Sequence, residues 1–213
     1  MRCWVGDVRL YLSSYQLGSQ FEQFVRMVGG DRRGWVIMNA LDGESDQERR
    51  VADTARQIEQ LASIGLTAHD VDLRSGFDAQ SSPDFVWVRG GNVFVLRMAM
   101  ARSGFDRWVT DRLQHDGVVY AGFSAGPCVL APSLRGLEVC DPVDEARRVY
   151  GEVRFDGLSI LDRPVVPHLN SPGHPETELL GQVAGAYEAA GHSYWALRDD
   201  QALVVDGEGE RIV

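Results

Sequence analysis

The segment Gly122-Phe123-Ser124-Ala125-Gly126 places a serine between small residues. The apolar run Val118–Ala121 precedes it, and Pro127–Ala131 has the composition of the first turns of a helix. A serine at such a strand-to-helix turn adopts a strained backbone conformation and exposes its Oγ, as nucleophilic serines do. The sequence therefore predicts Ser124 as a nucleophile. The alternative is a tight turn in which Ser124 only caps the helix.

A second glycine-containing turn, Gly90-Gly91-Asn92, follows the apolar run Phe85–Val88 and precedes a helical pattern. Both turns then lie at the carboxyl ends of strands in a parallel sheet, where ligands bind in this architecture. The backbone N–H near Gly91 and the N–H of Ala125 could together form an oxyanion hole. Taken by itself, the second turn is also consistent with Asn92 acting only as a helix N-cap.

A serine nucleophile needs a base, and the chain has five histidines: His69, His115, His168, His174 and His192. His168 follows the apolar residues Val165-Val166-Pro167, which predicts a position at the end of a strand, where catalytic residues are commonly carried. The other histidines fall in segments of surface character or lack the spacing of a helical metal-ligand pair. We therefore expect His168 to be the base and expect no metal ion.

The acid that orients the base is not determined by spacing, because it needs only to reach the second imidazole nitrogen. Eleven carboxylates follow Ser124 at suitable positions: Glu138, Asp141, Asp144, Glu145, Glu152, Asp156, Asp162, Glu176, Glu178, Asp199 and Asp200.

Strand-like and helix-like segments alternate along the first part of the chain. We predict strands at Val8–Leu12, Trp35–Met38, Phe85–Val88 and Val118–Ala121, and helices at Gln20–Val28, Gln47–Ile64 and Val93–Arg102. The second helix should begin at a Ser45 cap, with Glu48 completing a capping box, and should end at Gly65. This alternation predicts an α/β fold with a largely parallel sheet flanked by helices on both faces.

The pattern is less regular after Pro132. We predict an irregular acidic loop at 132–146, a hairpin at Val149–Ile160, a helix at Pro175–Ala190, and closing strands Tyr194–Leu197 and Ala202–Val205 around an Asp199-Asp200 turn. The length of 213 residues suits a single domain, 1–213.

Composition excludes several functions. The formal net charge is −10 and all 21 basic residues are arginine. The absence of lysine excludes a Walker-type phosphate loop and a pyridoxal Schiff base, and the absence of a basic stripe argues against nucleic-acid binding. No segment has the length and apolarity of a membrane span or of a signal peptide. Three unevenly spaced cysteines suggest a reducing compartment, so we expect a cytoplasmic protein. We also expect no cofactor.

The motifs, in their order along the chain, resemble the peptidase E (aspartyl dipeptidase) family of serine peptidases. The resemblance rests on Tyr11-Leu12-Ser13-Ser14, the Gly90-Gly91-Asn92 and Gly122–Gly126 turns, Pro167-His168 and the closing segment Ala196–Val205. It implies a class I glutamine-amidotransferase-like fold, which is a flavodoxin-like three-layer arrangement.

Carried over by position, the resemblance implies that Ser124 is the nucleophile and His168 the base. It points to Asp199 as the third member, with Asp200 as the alternative, and to Gly90, Gly91 and Ala125 around the oxyanion. It also implies that Asp141 orders the site or meets the amino group of the substrate, and that Asn92 lies in the same binding region.

One departure from the family concerns specificity. An arginine that holds the acidic side chain of the substrate is replaced here in the stretch Glu176-Thr177-Glu178. Because Glu178 would repel an aspartyl side chain, we expect a dipeptidase-like enzyme without strict preference for N-terminal aspartate. The alternatives are a cyanophycinase-like or other acyl hydrolase, and a non-catalytic binding protein of the same fold. The sequence does not determine the oligomeric state.

Overall fold

The computed structural model describes residues 8–213 and consists of a central sheet covered by helices on both faces. Its strands are β1 Leu10–Ser13, β2 Arg33–Ile37, β3 Thr67–Asp70, β4 Phe85–Val88, β5 Val119–Phe123, β6 Val165–Val166, β7 Trp195–Ala196, β8 Ala202–Asp206 and β9 Gly209–Ile212. Its helices are α1 Phe21–Met27, α2 Gln47–Ser63, α3 Val93–Ser103, α4 Phe105–Gln114, α5 Ala125–Cys128, α6 Val143–Tyr150 and α7 Thr177–Ala189. Short 3-10 turns cover Asn39–Leu41 and Leu137–Val139.

The main sheet has seven strands in the order β3-β2-β4-β5-β1-β8-β9. The first five run parallel, whereas β8 is antiparallel to β1 and β9 is antiparallel to β8. The two-residue strands β6 and β7 pair with each other in a separate small sheet. The carboxyl ends of β1, β4 and β5 are therefore neighbours at one edge of the main sheet.

The central strands are buried on both faces, which explains why they consist of near-continuous apolar runs. Along β4, Val86 and Val88 pack into the apolar cluster on the face of α3 and α4. Phe85 and Trp87 pack into the cluster on the opposite face, with residues of α1 and α2. The predicted α/β fold with a largely parallel sheet is confirmed.

Most predicted elements of the first part lie within two residues of the observed ones, and β4 matches fully. The predicted N-cap of α2, Ser45, is wrong, because the side chain of Asp46 accepts the hydrogen bond from the Arg49 N–H. Asp46 lies directly before the first helical residue, so its short carboxylate reaches that N–H. Gly65 follows the helix with a φ of 81°, as predicted.

The second part needs larger corrections. The predicted loop at 132–146 contains a 3-10 turn and the start of α6, because Pro142 precedes a good helical segment. The predicted hairpin at Val149–Ile160 is not formed; this segment contributes a single bridge, Ser133 to Asp156. The strands around the Asp199-Asp200 turn do not pair with each other, since β7 joins β6 and β8 joins β1.

The segment 1–7, for which we expect no signal peptide and which includes Cys3, lies outside the described residues. Within 8–213, no helix combines the length and apolarity needed to cross a membrane. Cys128 and Cys140 are both free thiols.

Candidate active site

Ser124 occupies a sharp turn between β5 and α5. Its backbone has a φ of 54° and a ψ of −110°, which is unusual for a residue with a side chain. The flanking residues Gly122 and Gly126 lie against the backbone carbonyl of Val88, where a Cβ would collide. The sequence thus forms the predicted strand-to-helix turn with the serine at its apex.

The second glycine turn lies beside the first because β4 and β5 are neighbours. A Cβ built on Gly90 would be 2.7 Å from the Cβ of Ser124. Gly91 has a φ of 138°, which favours glycine. Within residues 8–213, the N–H groups of Gly90 and Gly91 donate no hydrogen bond, and Ala125, as the first residue of α5, has no intrahelical acceptor. These N–H groups are therefore available to an oxyanion.

Ser14, at the carboxyl end of β1, connects the serine turn to the histidine. Its backbone carbonyl accepts a hydrogen bond from the N–H of Ser124 at 3.2 Å. Its Oγ accepts one from the N–H of His168 at 2.8 Å and donates to Oδ1 of Asp199 at 3.4 Å. The fully buried Ser14 thus contacts all three residues that the sequence assigned to the reaction.

His168 is held in a left-handed conformation, with a φ of 56°, two residues after β6. Ser14 accepts a hydrogen bond from its N–H, and the hydroxyl of Thr177 donates one to its carbonyl at 2.6 Å. Hydrogen bonds on both sides of the residue compensate for the cost of this backbone conformation. The ring is buried, with only 2% of the side chain exposed.

Asp199 is the carboxylate that contacts the imidazole. Its Oδ1 is 2.5 Å from Nδ1 of His168, while its own N–H donates to Oγ of Ser171. Asp200 is exposed and pairs with Arg198 instead. Since Asp199 occupies Nδ1, the remaining ring nitrogen, Nε2, is the one available to a nucleophile.

Two further rings line this region. His174 stacks on His168 with centroids 3.7 Å apart and planes 5° apart. Nδ1 of His174 accepts a hydrogen bond from the Glu176 N–H, which fixes the ring. Tyr15 places its ring edge-on to both histidines and to Phe123. The imidazole of His168 is therefore shielded from water on one face.

The electrostatics of His168 favour its neutral form. Burial lowers its pKa below the ordinary value, the hydrogen bond with Asp199 opposes that effect, and the neighbouring His174 lowers the pKa further. A neutral imidazole can accept a proton from a hydroxyl near pH 7.

Asp141 and Asn92 connect the glycine turn to the segment before α6. Asp141 accepts a hydrogen bond from the N–H of Val93 at 2.8 Å. Burial, with Glu176 and Glu145 nearby, raises the pKa of Asp141 to about 7, while the Val93 N–H opposes the shift. The amide of Asn92 caps α3 through its oxygen and donates to Pro142 and Glu145 through its nitrogen.

This geometry changes the interpretation of two predicted substrate-binding residues. The donors and acceptors of Asn92 are used within the protein, so the helix-cap alternative describes its side chain. Glu178 is exposed in the first turn of α7. The nearer carboxylate is Glu176, which contributes to the raised pKa of Asp141.

One group of side chains within residues 8–213 could hold a metal ion: His168, His174 and Asp199 have ligand atoms within 4.8 Å of one another. A metal would have to replace the proton shared by His168 and Asp199. Because the two rings are stacked 3.7 Å apart with planes 5° apart, their in-plane nitrogen lone pairs lie in two separate planes. This geometry fits proton transfer better than metal binding.

The structure brings together, at one edge of the sheet, the predicted residues Ser124, Gly90, Gly91, Ala125 and His168. It also places Asp199 there, which the family resemblance indicated with Asp200 as the alternative. The sequence prediction missed Ser14, Thr177 and His174. Ser14 had a usable signal, because it lies two residues after the predicted strand Val8–Leu12, whose carboxyl end lies at the same edge.

Comparison with known proteins identifies the family. The model of peptidase family S51 matches residues 53–213. Uncharacterized peptidases of Listeria monocytogenes and Pasteurella multocida are each 24% identical to the chain; the first match covers 70% of this chain and 71% of the relative, and the second covers 94% of each.

Solved structures show the same fold. A crystal structure of a candidate peptidase E protein from Listeria monocytogenes EGD-e matches with a TM-score of 0.76 and 21% identity, covering 98% of each chain. A peptidase from an acI-B1 Actinobacterium matches with a TM-score of 0.69 and 16% identity, covering 97% of this chain and 87% of that one.

The molecule is thus an α/β protein of the flavodoxin-like, glutamine-amidotransferase-like class. The chain belongs to peptidase family S51, the peptidase E family, as its motifs indicated.

Proposed function

We propose that the chain is a serine-type exopeptidase that cleaves dipeptides or short peptides through an acyl-enzyme on Ser124. The observation that carries this proposal is the contact of a single residue, Ser14, with Ser124, His168 and Asp199. The strained turn at Ser124 and membership of a peptidase family support the same conclusion.

In the proposed reaction, Oγ of Ser124 attacks the scissile carbonyl and transfers its proton to Nε2 of His168. Asp199 holds the opposite nitrogen and stabilises the imidazolium. The N–H groups of Gly91 and Ala125 donate to the oxyanion of the tetrahedral intermediate. His168 then protonates the leaving amine, and a water molecule activated by the same histidine releases the acyl group.

Within residues 8–213, Oγ of Ser124 makes no hydrogen bond, including none to His168. Hydrogen bonds between nucleophile and base are often long without substrate and shorten when it binds. The geometry therefore supports the assigned roles without requiring a preformed contact.

We propose that strict recognition of an N-terminal aspartate is absent. Glu145 and Glu176 lie close enough to Asp141, which binds the N–H of Val93 beside the glycine turn, to raise its pKa. These carboxylates would attract the amino group of a peptide and disfavour an acidic first side chain. The same acidic group favours a second candidate function, hydrolysis of an arginine-bearing acyl substrate of the cyanophycin type.

The test uses purified wild-type protein, Ser124→Ala and the matched control Ser63→Ala, whose serine is on the exposed end of α2. Each is incubated with dipeptides that differ at the first residue and with arginine-rich aspartyl polymer fragments, and products are measured by mass spectrometry. We expect dipeptide cleavage by the wild type and by the control, and none by Ser124→Ala. Full activity of Ser124→Ala would contradict the mechanism.

A second measurement separates inactivity from the wrong substrate. A serine-directed phosphonate should label wild-type protein at Ser124 and leave Ser124→Ala unlabelled. Labelling at Ser124 without cleavage of any dipeptide would favour another acyl substrate. Binding of peptides without labelling or cleavage would favour a non-catalytic protein of the same fold.

A further inference from the structure

Arg89 lies between β4 and the glycine turn of the candidate active site. A Cβ built on its neighbour Gly90 would be 2.7 Å from the Cβ of Ser124, so the two turns are in close contact there. The side chain of Arg89 lies 5.8 Å from the ring centroid of Phe123, the residue directly before Ser124. A positive charge is therefore positioned next to both turns that would surround the reacting carbonyl.

Three contacts fix the guanidinium of Arg89. Its Nε donates to Asp53 at 2.8 Å, its Nη1 donates to the carbonyl of Gly90 at 2.6 Å, and its Cζ lies over the ring of Phe123. Within residues 8–213, Nη2 donates no hydrogen bond, and 21% of the side chain is exposed. The guanidinium is thus held in place in a partly exposed position with Nη2 left to donate, which suits recognition of a carboxylate.

The charge around Arg89 is not balanced locally. Asp53, which is buried, is shared by Arg89 and by Arg56, whose nitrogen lies 2.9 Å from its other oxygen. Two cations therefore share one anion. The buried Arg97 is different, because two carboxylates, Asp106 and Asp156, surround it. A purely structural ion pair between α2 and β4 would not need the additional positive charge.

The opposite side of the glycine turn is negative. Asp141 binds the N–H of Val93, three residues after Gly90, and Glu176 and Glu145 lie near it. A peptide that crosses the turn would encounter a cation on the Arg89 side and carboxylates on the other. This arrangement would orient a molecule that carries both an ammonium and a carboxylate group.

We propose that Arg89, positioned by Asp53, binds a carboxylate of the peptide substrate. This inference rests on the proposed peptidase function and specifies its substrate. The free carboxyl terminus of a dipeptide is the source that agrees with the proposed absence of a strict preference for N-terminal aspartate, and the acidic side chain of the first residue is the alternative source. The same chemistry would recognise both, and the substrates below distinguish them.

The experiment compares kcat/KM for two substrate pairs. Ala-Leu and Ala-Leu amide differ at the terminal carboxylate, and Asp-Leu and Asn-Leu differ at the side chain. We expect the wild type to prefer Ala-Leu over Ala-Leu amide by about 10- to 100-fold, the range of a charge-assisted hydrogen bond, whereas a similar preference for Asp-Leu over Asn-Leu would identify the side chain as the source. Arg89→Gln should reduce that preference to about twofold, mainly through KM.

Two variants keep the result interpretable. Arg89→Lys retains the charge but not the planar donor edge, so it should keep an intermediate preference. Arg107→Gln makes the same charge change on an exposed residue of α4 and should keep the wild-type preference. Equal losses for both members of each pair in Arg89→Gln would overturn the inference, because Arg89 would then only connect α2 to β4.

A binding measurement separates this inference from the proposed function. Ser124→Ala and Ser124→Ala/Arg89→Gln are titrated with the same four peptides in a calorimeter. Preference for an acid that depends on Arg89 would support the carboxylate site even if the wild type cleaved none of the peptides. Cleavage without any acid preference would overturn the site and leave the peptidase function intact, and absence of peptide binding would also overturn the site.

Discussion

The two halves of the candidate active site are built in different ways. Ser124 follows a fully buried strand in the middle of a seven-stranded sheet, and its turn is shaped by backbones that approach each other closely. His168 follows a two-residue strand of a separate small sheet, and its backbone is positioned by the hydroxyls of Ser14 and Thr177. We name these halves the nucleophile side and the base side, after the roles proposed for Ser124 and His168. The nucleophile side depends on sheet register, whereas the base side depends on individual hydrogen bonds.

This difference determines which changes each half should tolerate. The nucleophile side has little free space, so it should be sensitive to added atoms. The base side relies on polar groups that each satisfy one partner, so it should be sensitive to lost or altered hydrogen bonds. Substitutions that add a carbon on the nucleophile side, and substitutions that change a polar atom on the base side, can test this difference in sensitivity.

The largest effect is expected for Asp199→Asn on the base side. An amide at this position would favour the wrong tautomer of His168 and would not stabilise the imidazolium, so kcat should fall by roughly 10²- to 10⁴-fold. Asp200→Asn is the matched control, since Asp200 is exposed and pairs with Arg198, and it should retain most activity. Steady-state kinetics on a cleaved dipeptide would measure both, and equal losses would contradict the assignment of Asp199.

An intermediate effect is expected for Gly90→Ala on the nucleophile side. The added Cβ would be 2.7 Å from the Cβ of Ser124, so one of the two turns must shift. A displacement of about 1 Å costs roughly 10²-fold in rate, and we expect a loss of about 10- to 100-fold in kcat. Gly29→Ala is the control, because a Cβ there has no neighbour within 4 Å. Activity of Gly90→Ala equal to that of the control would show that the strand-to-helix turn at Ser124 is less constrained than the structure implies.

The same contrast explains what could be predicted from the sequence. Strands β1, β2, β4 and β5 are buried on both faces, so their apolar runs marked them clearly. Strands β3 and β9 lie at the sheet edges and are largely exposed and polar, so they carried no such signal. The segment Val149–Ile160 has a strand-like composition, yet its Phe155 packs on Phe94 and its Asp156 pairs with Arg97.

In the candidate active site, the strand-to-helix turn at Ser124 was predictable because its glycines and its serine lie close together in the sequence. The choice of Asp199 over Asp200 could not be predicted from the residues, because both lie in one turn and only their observed side-chain contacts distinguish them. The stacking of His174 on His168 also depends on the path of the loop between them, where Asn170 has a φ of 55°. Such long-range polar contacts have no periodic pattern in the sequence.

The smallest effect is expected for His174→Phe, which changes the environment of the base without removing the stacked ring. Burial lowers the pKa of His168 first and His174 lowers it further, whereas Asp199 and Glu176 raise it. Phenylalanine would keep the ring contact and the burial but could not carry a positive charge. The pKa of His168 in the variant should therefore be higher than in the wild type.

Because the base must be neutral to accept a proton, activity falls as the pH drops below the pKa of His168. In His174→Phe the acid limb of the kcat/KM profile should thus move to higher pH, by a fraction of a unit up to about one unit. Asp141, whose pKa is about 7, titrates nearby in both proteins, so only the difference between the two profiles is informative. His115→Phe, at an exposed position, should leave the profile unchanged. A shift of the acid limb to lower pH would mean that His174 stabilises the protonated form of His168. The proton affinity of His168 would then depend on the stacked His174 ring as well as on Asp199.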